Sequence, residues 1–373
     1  MDDLSAIILV GGRGSRLKGL TRYNSKPYIS FFGKYRIIDF PLSSVSNSLI
    51  KQVGILTQHE PYELMKYIGS GESFDLDIDN YGVTYLTPYE KINQELALQK
   101  GTAQALYTQI ENIKKMDSKY VLVLSGDQIY KIDFNEVLKY HIKKKADLTI
   151  ITKDLDSEKE DLTRFGIIEY DSINRITSLE EKPDNPKSNH ISLGMYLFTK
   201  EYLLKVLPLT EEYPDFGSSF IPYLIKSGDK VFSYKTDSIF MDLGTVSSLY
   251  NANMYFLDHY NLINSKGDQF KIYSKGYNYP PFLVYSKAKV TSSSISDGAI
   301  IKGNVTHSVI SYMVKIDAQT EIVDSVLLPS SVVKKGSKLK NVILDEDTIV
   351  PPNSSLIFDK PTLIDSSYFR RES

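Results

Sequence analysis

The stretch LSAIILVGGRGSRLKGL, residues 4–20, joins a continuous apolar run to a loop of glycine, serine and arginine. The run predicts a buried strand, because it lacks the polar alternation of a strand that has one face in water. Glycines directly after such a strand let backbone N–H groups approach a phosphate, and Arg16 adds a positive charge. The loop lacks the third glycine of the dinucleotide fingerprint and the Gly-Lys-Ser/Thr of a P-loop. A plain tight turn is therefore the alternative on this loop alone.

The rest of the first 260 or so residues alternates strand-like and helix-like segments. QVGILT, KYVLVLSG and ADLTIIT are further continuous apolar runs, whereas GTAQALYTQIENIKKM and FNEVLKYHIKKK carry apolar residues at helical spacing. This alternation predicts an α/β fold with a Rossmann-like, mostly parallel sheet. Ligands of such sheets bind beyond the carboxyl ends of the strands, which is where the glycine loop lies.

A repeat of 17 residues follows the polar, Tyr- and Pro-containing segment SKGYNYPPF. Its apolar positions form three columns: Val305, Ile322, Leu339 and Leu356; Val309, Val326 and Ile343; and Ile316, Val333 and Val350. Repeats of this length suit the coils of a parallel β-helix, and an irregular β-sandwich is the alternative. We expect a catalytic domain at residues 1–262, a linker at 263–289 and a β-helix domain at 290–373.

Composition excludes several classes of protein. The chain has 373 residues, enough for about two domains, and its 44 Lys and Arg residues nearly balance 46 Asp and Glu residues. This balance argues against a general nucleic-acid or membrane surface. The absence of cysteine excludes disulfides, thiolate zinc sites and thiol catalysis, and the five histidines lack metal-ligand spacing. No apolar run approaches the ~20 residues that span a bilayer, so we expect a cytoplasmic protein.

Charged residues follow two of the predicted strands. Lys26 and Lys34 lie in SKPYISFFGKYRIIDFPLSS, soon after the glycine loop, and Asp127 follows the strand in VLVLSGDQIYKID. An acid at the carboxyl end of a strand, beside a cationic glycine loop, is placed to hold hydrated Mg²⁺ against phosphate oxygens. A solvated surface position is the alternative for each of these side chains taken singly.

Further motifs make the pattern specific. RFGIIEYD, ITSLEEKP, ISLGMYLF, PDFGSSFIP and SIFMDLGT follow in that order. Together with the glycine loop, the set resembles the sugar-nucleotide pyrophosphorylases. FGKYRIIDFPLSS, GILTQHEPYEL, YIGSGESFDLD and SGDQIYKID are similar to the bacterial glucose-1-phosphate adenylyltransferase branch of that family. The resemblance covers nearly the whole chain and implies a left-handed β-helix at the C-terminus.

The resemblance also implies a reaction and its residues. In the family, the phosphate of glucose 1-phosphate attacks the α-phosphorus of ATP and releases pyrophosphate, with Mg²⁺ as cofactor. Matching motif by motif assigns the residues as follows: Gly11, Gly12, Gly14, Ser15, Arg16 and Lys26 to the nucleotide phosphates; Gln58, Gly101 and Thr102 to the base; Asp127 and Asp242 to the metal; and Gly166, Glu181, Lys182, Ser192 and Asp215 to the sugar phosphate.

The family further implies a homotetramer, or a heterotetramer with a related subunit, and a sugar-phosphate or AMP effector to which Lys34 contributes. The chain departs from the family at Gln128, where histidine is usual, and it has no tryptophan before Gly101. The second departure bears on base preference and on activation, because in the family that loop lies near the nucleotide. Two alternatives to the adenylyltransferase therefore stay open: a non-catalytic regulatory subunit, and a pyrophosphorylase for another nucleotide or sugar.

Overall fold

The computed structural model describes residues 3–11, 14–22, 24–57, 61–87, 101–156, 160–263 and 270–369, with only the backbone at residues 15 and 18. In the described part of the first 263 residues, the strands are Leu4–Val10 (β1), Ser30–Phe31 (β2), Tyr35–Arg36 (β3), Gln52–Thr57 (β4), Gly82–Leu86 (β5), Tyr120–Ser125 (β6), Gln128–Tyr130 (β7), Leu148–Asp154 (β8), Gly166–Tyr170 (β9), Ile176–Glu181 (β10), His190–Thr199 (β11), Val231–Lys235 (β12) and Phe240–Asp242 (β13).

Nine of these described strands form one mixed sheet. Its order is β10-β9-β11-β6-β1-β4-β5, with β8 on β11 and β12 on β8. The continuous apolar runs form its parallel centre, where β1 lies between β4 and β6 and is almost wholly buried. Because these three strands run in the same direction, their carboxyl ends meet at one edge. The short strands β7 and β13 pair separately beside that edge.

Helices cover both faces of the sheet. Those in the described residues are Asp39–Asn47 (α1), Tyr62–Ile68 (α2), Thr102–Tyr107 (α3), Ile110–Lys115 (α4), Phe134–Lys144 (α5), Lys200–Val206 (α6), Ile221–Lys226 (α7) and Val246–Asp258 (α8). Segments of 3₁₀-helix include Ser15–Thr21, Lys26–Tyr28 and Leu162–Arg164, and Phe216–Phe220 forms one turn of π-helix. No helix of the described residues is long and apolar enough to cross a bilayer.

One predicted helix is interrupted. The segment GTAQALYTQIENIKKM forms α3 and α4 with a break at Gln109, instead of one continuous helix. Gln109 is buried, and its side-chain amide donates to the carbonyl of Thr87 at 2.9 Å. This tertiary hydrogen bond satisfies a buried polar group, and helical periodicity does not reveal it.

The repeat region is a parallel β-helix. Its strands are Leu283–Val284 (β14), Val290–Thr291 (β15), Ser294–Ile295 (β16), Ile300–Ile301 (β17), Asn304–Thr306 (β18), Val309–Ile310 (β19), Lys315–Ile316 (β20), Glu321–Val323 (β21), Val326–Leu327 (β22), Val332–Val333 (β23), Lys338–Leu344 (β24), Ile349–Val350 (β25) and Ser355–Ile364 (β26). All of their described pairings are parallel. The first stacked strand, β14, lies inside the segment 263–289 that the sequence predicts as a linker.

All three predicted columns are in register. Val305 pairs with Ile322, which pairs with Leu339, and the other columns stack in the same way. A serine ladder reinforces the stack, because Ser308 N–H donates to the hydroxyl of Ser293 and Ser325 N–H donates to that of Ser308. The irregular β-sandwich is therefore excluded.

The columns face two different cores. The columns that begin at Val305 and Ile316 fill the interior of the β-helix. The column of Val309, Val326 and Ile343 packs instead with the aromatic residues Phe31 and Phe256 of the first region. We call this the shared core. It joins the β-helix to the region that contains the glycine loop.

Candidate active site

The glycine loop turns sharply where β1 ends. Gly14 has φ = +57°, a left-handed conformation that favours glycine, and a Cβ there would lie 2.8 Å from Thr21 Cγ2. Its carbonyl accepts hydrogen bonds from Leu17 N–H at 2.8 Å and from the Thr21 hydroxyl at 3.0 Å. These two hydrogen bonds close the segment from Gly14 to Thr21. Gly12 lies outside the described residues, and Ser15 is described only by its backbone.

Two carboxylates and one ammonium group meet beside this turn. Asp127 follows β6, and Asp242 ends β13, which pairs with β7 so that Asp242 lies opposite Gln128. Lys26 Nζ lies 2.9 Å from Asp127 Oδ2 and 3.1 Å from Asp242 Oδ1. Two acids distant in sequence thus both contact one ammonium group.

The charges in this cluster reinforce one another. Burial opposes the charge of Lys26, but Asp127 and Asp242 outweigh it and raise the pKa of Lys26 above its usual range. Burial likewise opposes the charge of Asp127, but Lys26 and a hydrogen bond from Ser125 lower the pKa of this carboxyl. Lys26 and Asp127 are therefore both charged at neutral pH.

The carboxylate pair fits a hard divalent cation. Within the described residues, no group of three or more His, Asp or Glu side chains is arranged to hold a metal ion. Mg²⁺ needs only one or two carboxylates when substrate phosphates and water complete its shell. The ammonium group of Lys26 occupies the point that Asp127 and Asp242 both face, so the pair accepts a cation there.

Two arginines approach the same cluster. Arg164 Nη2 lies 2.6 Å from Asp242 Oδ2. A Cβ on Gly244 would lie 3.1 Å from Arg164 Nη2 and 3.2 Å from Arg16 Nη2, so a side chain there would obstruct both guanidinium groups. The sequence singled out Arg16 but missed Arg164. The only sequence signal for Arg164 is its position directly before the Phe-Gly pair that opens β9.

A cleft of about 370 Å³ extends from this cluster across the edge of the sheet. Among its lining residues are Gly11, Arg16, Lys26, Thr102, Asp127, Arg164, Gly166, Glu181, Lys182, Ser192, Asp215 and Asp242. Most of the residues that the sequence assigned to the phosphates, the metal and the sugar therefore line one cleft. Gln58 lies outside the described residues.

The far end of the cleft carries a second charged pair. Lys182 Nζ lies 2.5 Å from Glu181 Oε1, and the carboxylate of Glu181 lies against the backbone of Gly166 and Gly217. Ser192 is nearly buried, and its hydroxyl accepts a 3.3 Å hydrogen bond from Gly194 N–H. One lysine is thus held at each end of the cleft.

Asp215 has structural partners. Its Oδ1 accepts hydrogen bonds from the N–H groups of Gly217 and Ser218, both at 3.1 Å, and its Oδ2 accepts one from the Thr102 hydroxyl at 3.0 Å. Burial opposes the charge of Asp215, but these donors lower its pKa. The backbone of Gly101 packs closely on Pro214. Asp215, Thr102 and Gly101 therefore form one braced wall of the cleft.

Lys34 lies apart from the cleft. Its side chain is exposed, with Nζ 5.0 Å from the centre of the Tyr35 ring. Its carbonyl accepts a 2.6 Å hydrogen bond from the hydroxyl of Tyr312, which belongs to the β-helix. Lys34 thus lies where the two regions meet.

Comparison with known proteins agrees with this geometry. The model of the Nucleotidyl transferase family matches residues 5–259, and that of the GlmU-like C-terminal hexapeptide family matches residues 284–372. The chain is therefore a nucleotidyltransferase, an enzyme of a class that generally uses a divalent metal ion.

The particular family follows from full-length relatives. The chain is 39% identical over 361 residues to the glucose-1-phosphate adenylyltransferase of Bacillus cytotoxicus, covering 96% of this chain and 95% of that protein. It is 40% identical over 349 residues to the enzyme of the same name from Bacillus mycoides, covering 92% of each. This chain belongs to the glucose-1-phosphate adenylyltransferase family. The family that the motifs indicated is confirmed.

Proposed function

We propose that this chain makes ADP-glucose and pyrophosphate from ATP and glucose 1-phosphate. A phosphate oxygen of glucose 1-phosphate forms a bond to the α-phosphorus of ATP, and the bond from that phosphorus to the oxygen that bridges it to the β-phosphorus breaks. The observation that carries the proposal is the meeting of Asp127, Asp242 and Lys26 at one point beside the glycine loop. Such displacements depend on positioning and charge neutralisation, which this cluster supplies.

Asp127 and Asp242 would hold Mg²⁺. When bound, the ion neutralises phosphate charge and orients the attacked phosphorus. Lys26 and Arg16 lie beside the same carboxylates, where they would bind the nucleotide phosphates together with the backbone of the glycine loop. The ammonium group of Lys26 lies within 3.1 Å of both acids, so it can donate a hydrogen bond to a phosphate bound beside them with only a small movement of its side chain.

The opposite end of the cleft would bind the sugar phosphate. Lys182 would contact the phosphate, and Glu181, Ser192 and the backbone of Gly166 would surround the glucose. Asp215 would act there by bracing the wall rather than by a free carboxylate, since its oxygens already accept hydrogen bonds. Gln58, Gly101 and Thr102 would face the base.

Several broader proposals accompany this one. The enzyme would act in the cytoplasm and supply glycogen-like α-glucan synthesis. It would assemble as a homotetramer, or with a related subunit as a heterotetramer, and would respond to a sugar-phosphate or AMP effector through Lys34. We propose residues 1–262 as the catalytic domain and 290–373 as the β-helix domain. The first strand of the β-helix, β14, lies before residue 290 and extends that domain toward the N-terminus.

Pyrophosphate release tests the proposed reaction. The purified chain is mixed with glucose 1-phosphate and Mg²⁺ and, in separate reactions, with ATP, UTP, dTTP or GTP. We expect release with ATP well above that with the other nucleotides. Preference for another nucleotide would indicate a different pyrophosphorylase. No release with any of them, from a folded chain, would indicate the regulatory subunit.

A further inference from the structure

Arg164 is a charged residue of the cleft to which the sequence assigns no role. It ends the turn Leu162–Arg164 directly before β9, and its side chain is only 24% exposed. Its guanidinium group lies 2.6 Å from the carboxylate of Asp242, to which we assign the metal. This contact places the charge of Arg164 beside the proposed site of the metal and the nucleotide phosphates.

The local charge count favours an anion. Arg164, Arg16 and Lys26 bring three positive charges to the two negative charges of Asp127 and Asp242. The cluster is net positive before any metal binds. A site of this kind attracts a polyphosphate and disfavours a free cation.

The pairing of Arg164 with Asp242 leaves one donor unsatisfied. Nε of Arg164 is buried and has no hydrogen-bond partner. A buried donor without a partner costs free energy, so this conformation is one that a competing partner can displace. A phosphate is such a partner, because a guanidinium group binds phosphate oxygens through two or more parallel N–H groups.

We infer that Arg164 is a phosphate ligand of the nucleotide and of pyrophosphate, and that Asp242 holds it until a divalent cation takes that carboxylate. The inference rests on the proposed function. Asp242 exchanges the guanidinium group for the metal, and Arg164 turns to the phosphate that arrives with the metal. Arg164 and the metal thus compete for one carboxylate but cooperate in binding the polyphosphate.

This competition predicts that Arg164→Gln binds a divalent metal ion more tightly than wild type but binds pyrophosphate more weakly. Without nucleotide, Mn²⁺ should bind the variant about threefold more tightly than wild type, because a competing charge on Asp242 is gone. With saturating Mg²⁺, pyrophosphate should bind the variant about tenfold or more weakly, because a charge-assisted hydrogen bond is lost. Both affinities are measured by titration calorimetry, without turnover.

Arg175→Gln is the matched control. Arg175 lies in the same region but donates to the carbonyls of Gly228 and Asp229, away from the cleft. We expect neither affinity to change in this variant. Arg164→Lys keeps the charge without the planar fork, so its affinity for pyrophosphate should fall between those of wild type and Arg164→Gln.

The outcomes separate this inference from the proposed function. Unchanged affinities in Arg164→Gln, or both affinities weakened together, would overturn the inference and leave Arg164 as a residue that only positions Asp242. If Arg164→Gln does not fold, unchanged pyrophosphate affinity in Arg164→Lys overturns it equally. A wild-type chain that binds pyrophosphate but releases none from any nucleotide would overturn the proposed function alone.

Discussion

Replacing Lys26 by methionine removes a positive charge that faces both acids of the active site. The side chain of Lys26 is 6% exposed, and those of Asp127 and Asp242 are 28% and 17% exposed. Methionine has a similar length but cannot donate a hydrogen bond. Lys26→Met therefore leaves two poorly hydrated carboxylates facing an apolar thioether, with Arg164 still paired to one of them.

This burial sets how much free energy of unfolding Lys26→Met loses. Removing one partner of a buried ion pair costs about 3–5 kcal/mol. The remaining exposure of the acids and the pairing of Arg164 with Asp242 reduce the expected cost of Lys26→Met below this range, to about 2–3 kcal/mol. With an unfolding entropy of about 2.1 cal/mol/K per residue, a loss of this size lowers the melting temperature of a 373-residue chain that unfolds in one step by about 3–4 °C.

Mg²⁺ should restore most of this loss. Once the ammonium group is gone, the carboxylate pair is free to bind the ion, and a ligand at 100 times its Kd stabilises a protein by about 2.7 kcal/mol. The assay is thermal unfolding at neutral pH, first in EDTA and then in millimolar Mg²⁺. Mg²⁺ should raise the melting temperature of Lys26→Met much more than that of wild type.

Lys139→Met is the control for this experiment. Lys139 pairs with Glu136 at 2.7 Å, but both side chains are more than half exposed. We expect almost no destabilisation and no dependence on Mg²⁺, because water already solvates both groups. The reasoning fails if Lys26→Met is as stable in EDTA as the wild-type chain, or if Mg²⁺ stabilises both chains equally.

Three further predictions concern the cleft and the junction. Lys182→Ala should raise the KM for glucose 1-phosphate much more than that for ATP in steady-state kinetics, and equal effects would contradict its assignment. Asp127→Asn and Asp242→Asn should each lower kcat about 100-fold or more with folding retained, and the double variant should be little worse; losses that multiply would show that the acids do not share one ion. His307 donates hydrogen bonds to the carboxylate of Asp324 and to that of Asp258, and these bonds raise the pKa of His307. The stabilisation from these bonds is present below about pH 6.5 and is lost as pH rises through the raised pKa. The melting-temperature difference between wild type and His307→Gln should therefore shrink from about pH 6 to about pH 9, and a constant difference would refute this.

The parts of the fold that depend on a strict repeat were predictable from the sequence. The 17-residue columns specify which residues stack, because each coil of a β-helix buries its apolar row on the next. They do not specify which way a column faces. Val309 and Val305 look alike in the sequence, yet one packs in the shared core and the other inside the β-helix.

The location of residues at the carboxyl ends of parallel strands was also predictable. Asp127 follows an apolar run, and the fold brings such positions to one edge. Arg164 was not predictable, because its partner Asp242 reaches it only through the pairing of β13 with β7. The break at Gln109 was also missed, because the side chain of Gln109 bonds to the Thr87 carbonyl, a partner distant in sequence that no local pattern contains.

The shared core also limits how members of this family can be recombined. Val309, Val326 and Ile343 belong to the same buried cluster as aromatic side chains that include Phe31 and Phe256. A chimera that takes its first region from one relative and its repeat region from another must bring side chains of matching volume to both sides of this contact, because mismatched packing leaves cavities or overcrowds the core. A successful chimera will therefore take all five of these residues from the same parent. A crossover within the connecting segment will succeed only if the two parents already have matching residues at these five positions.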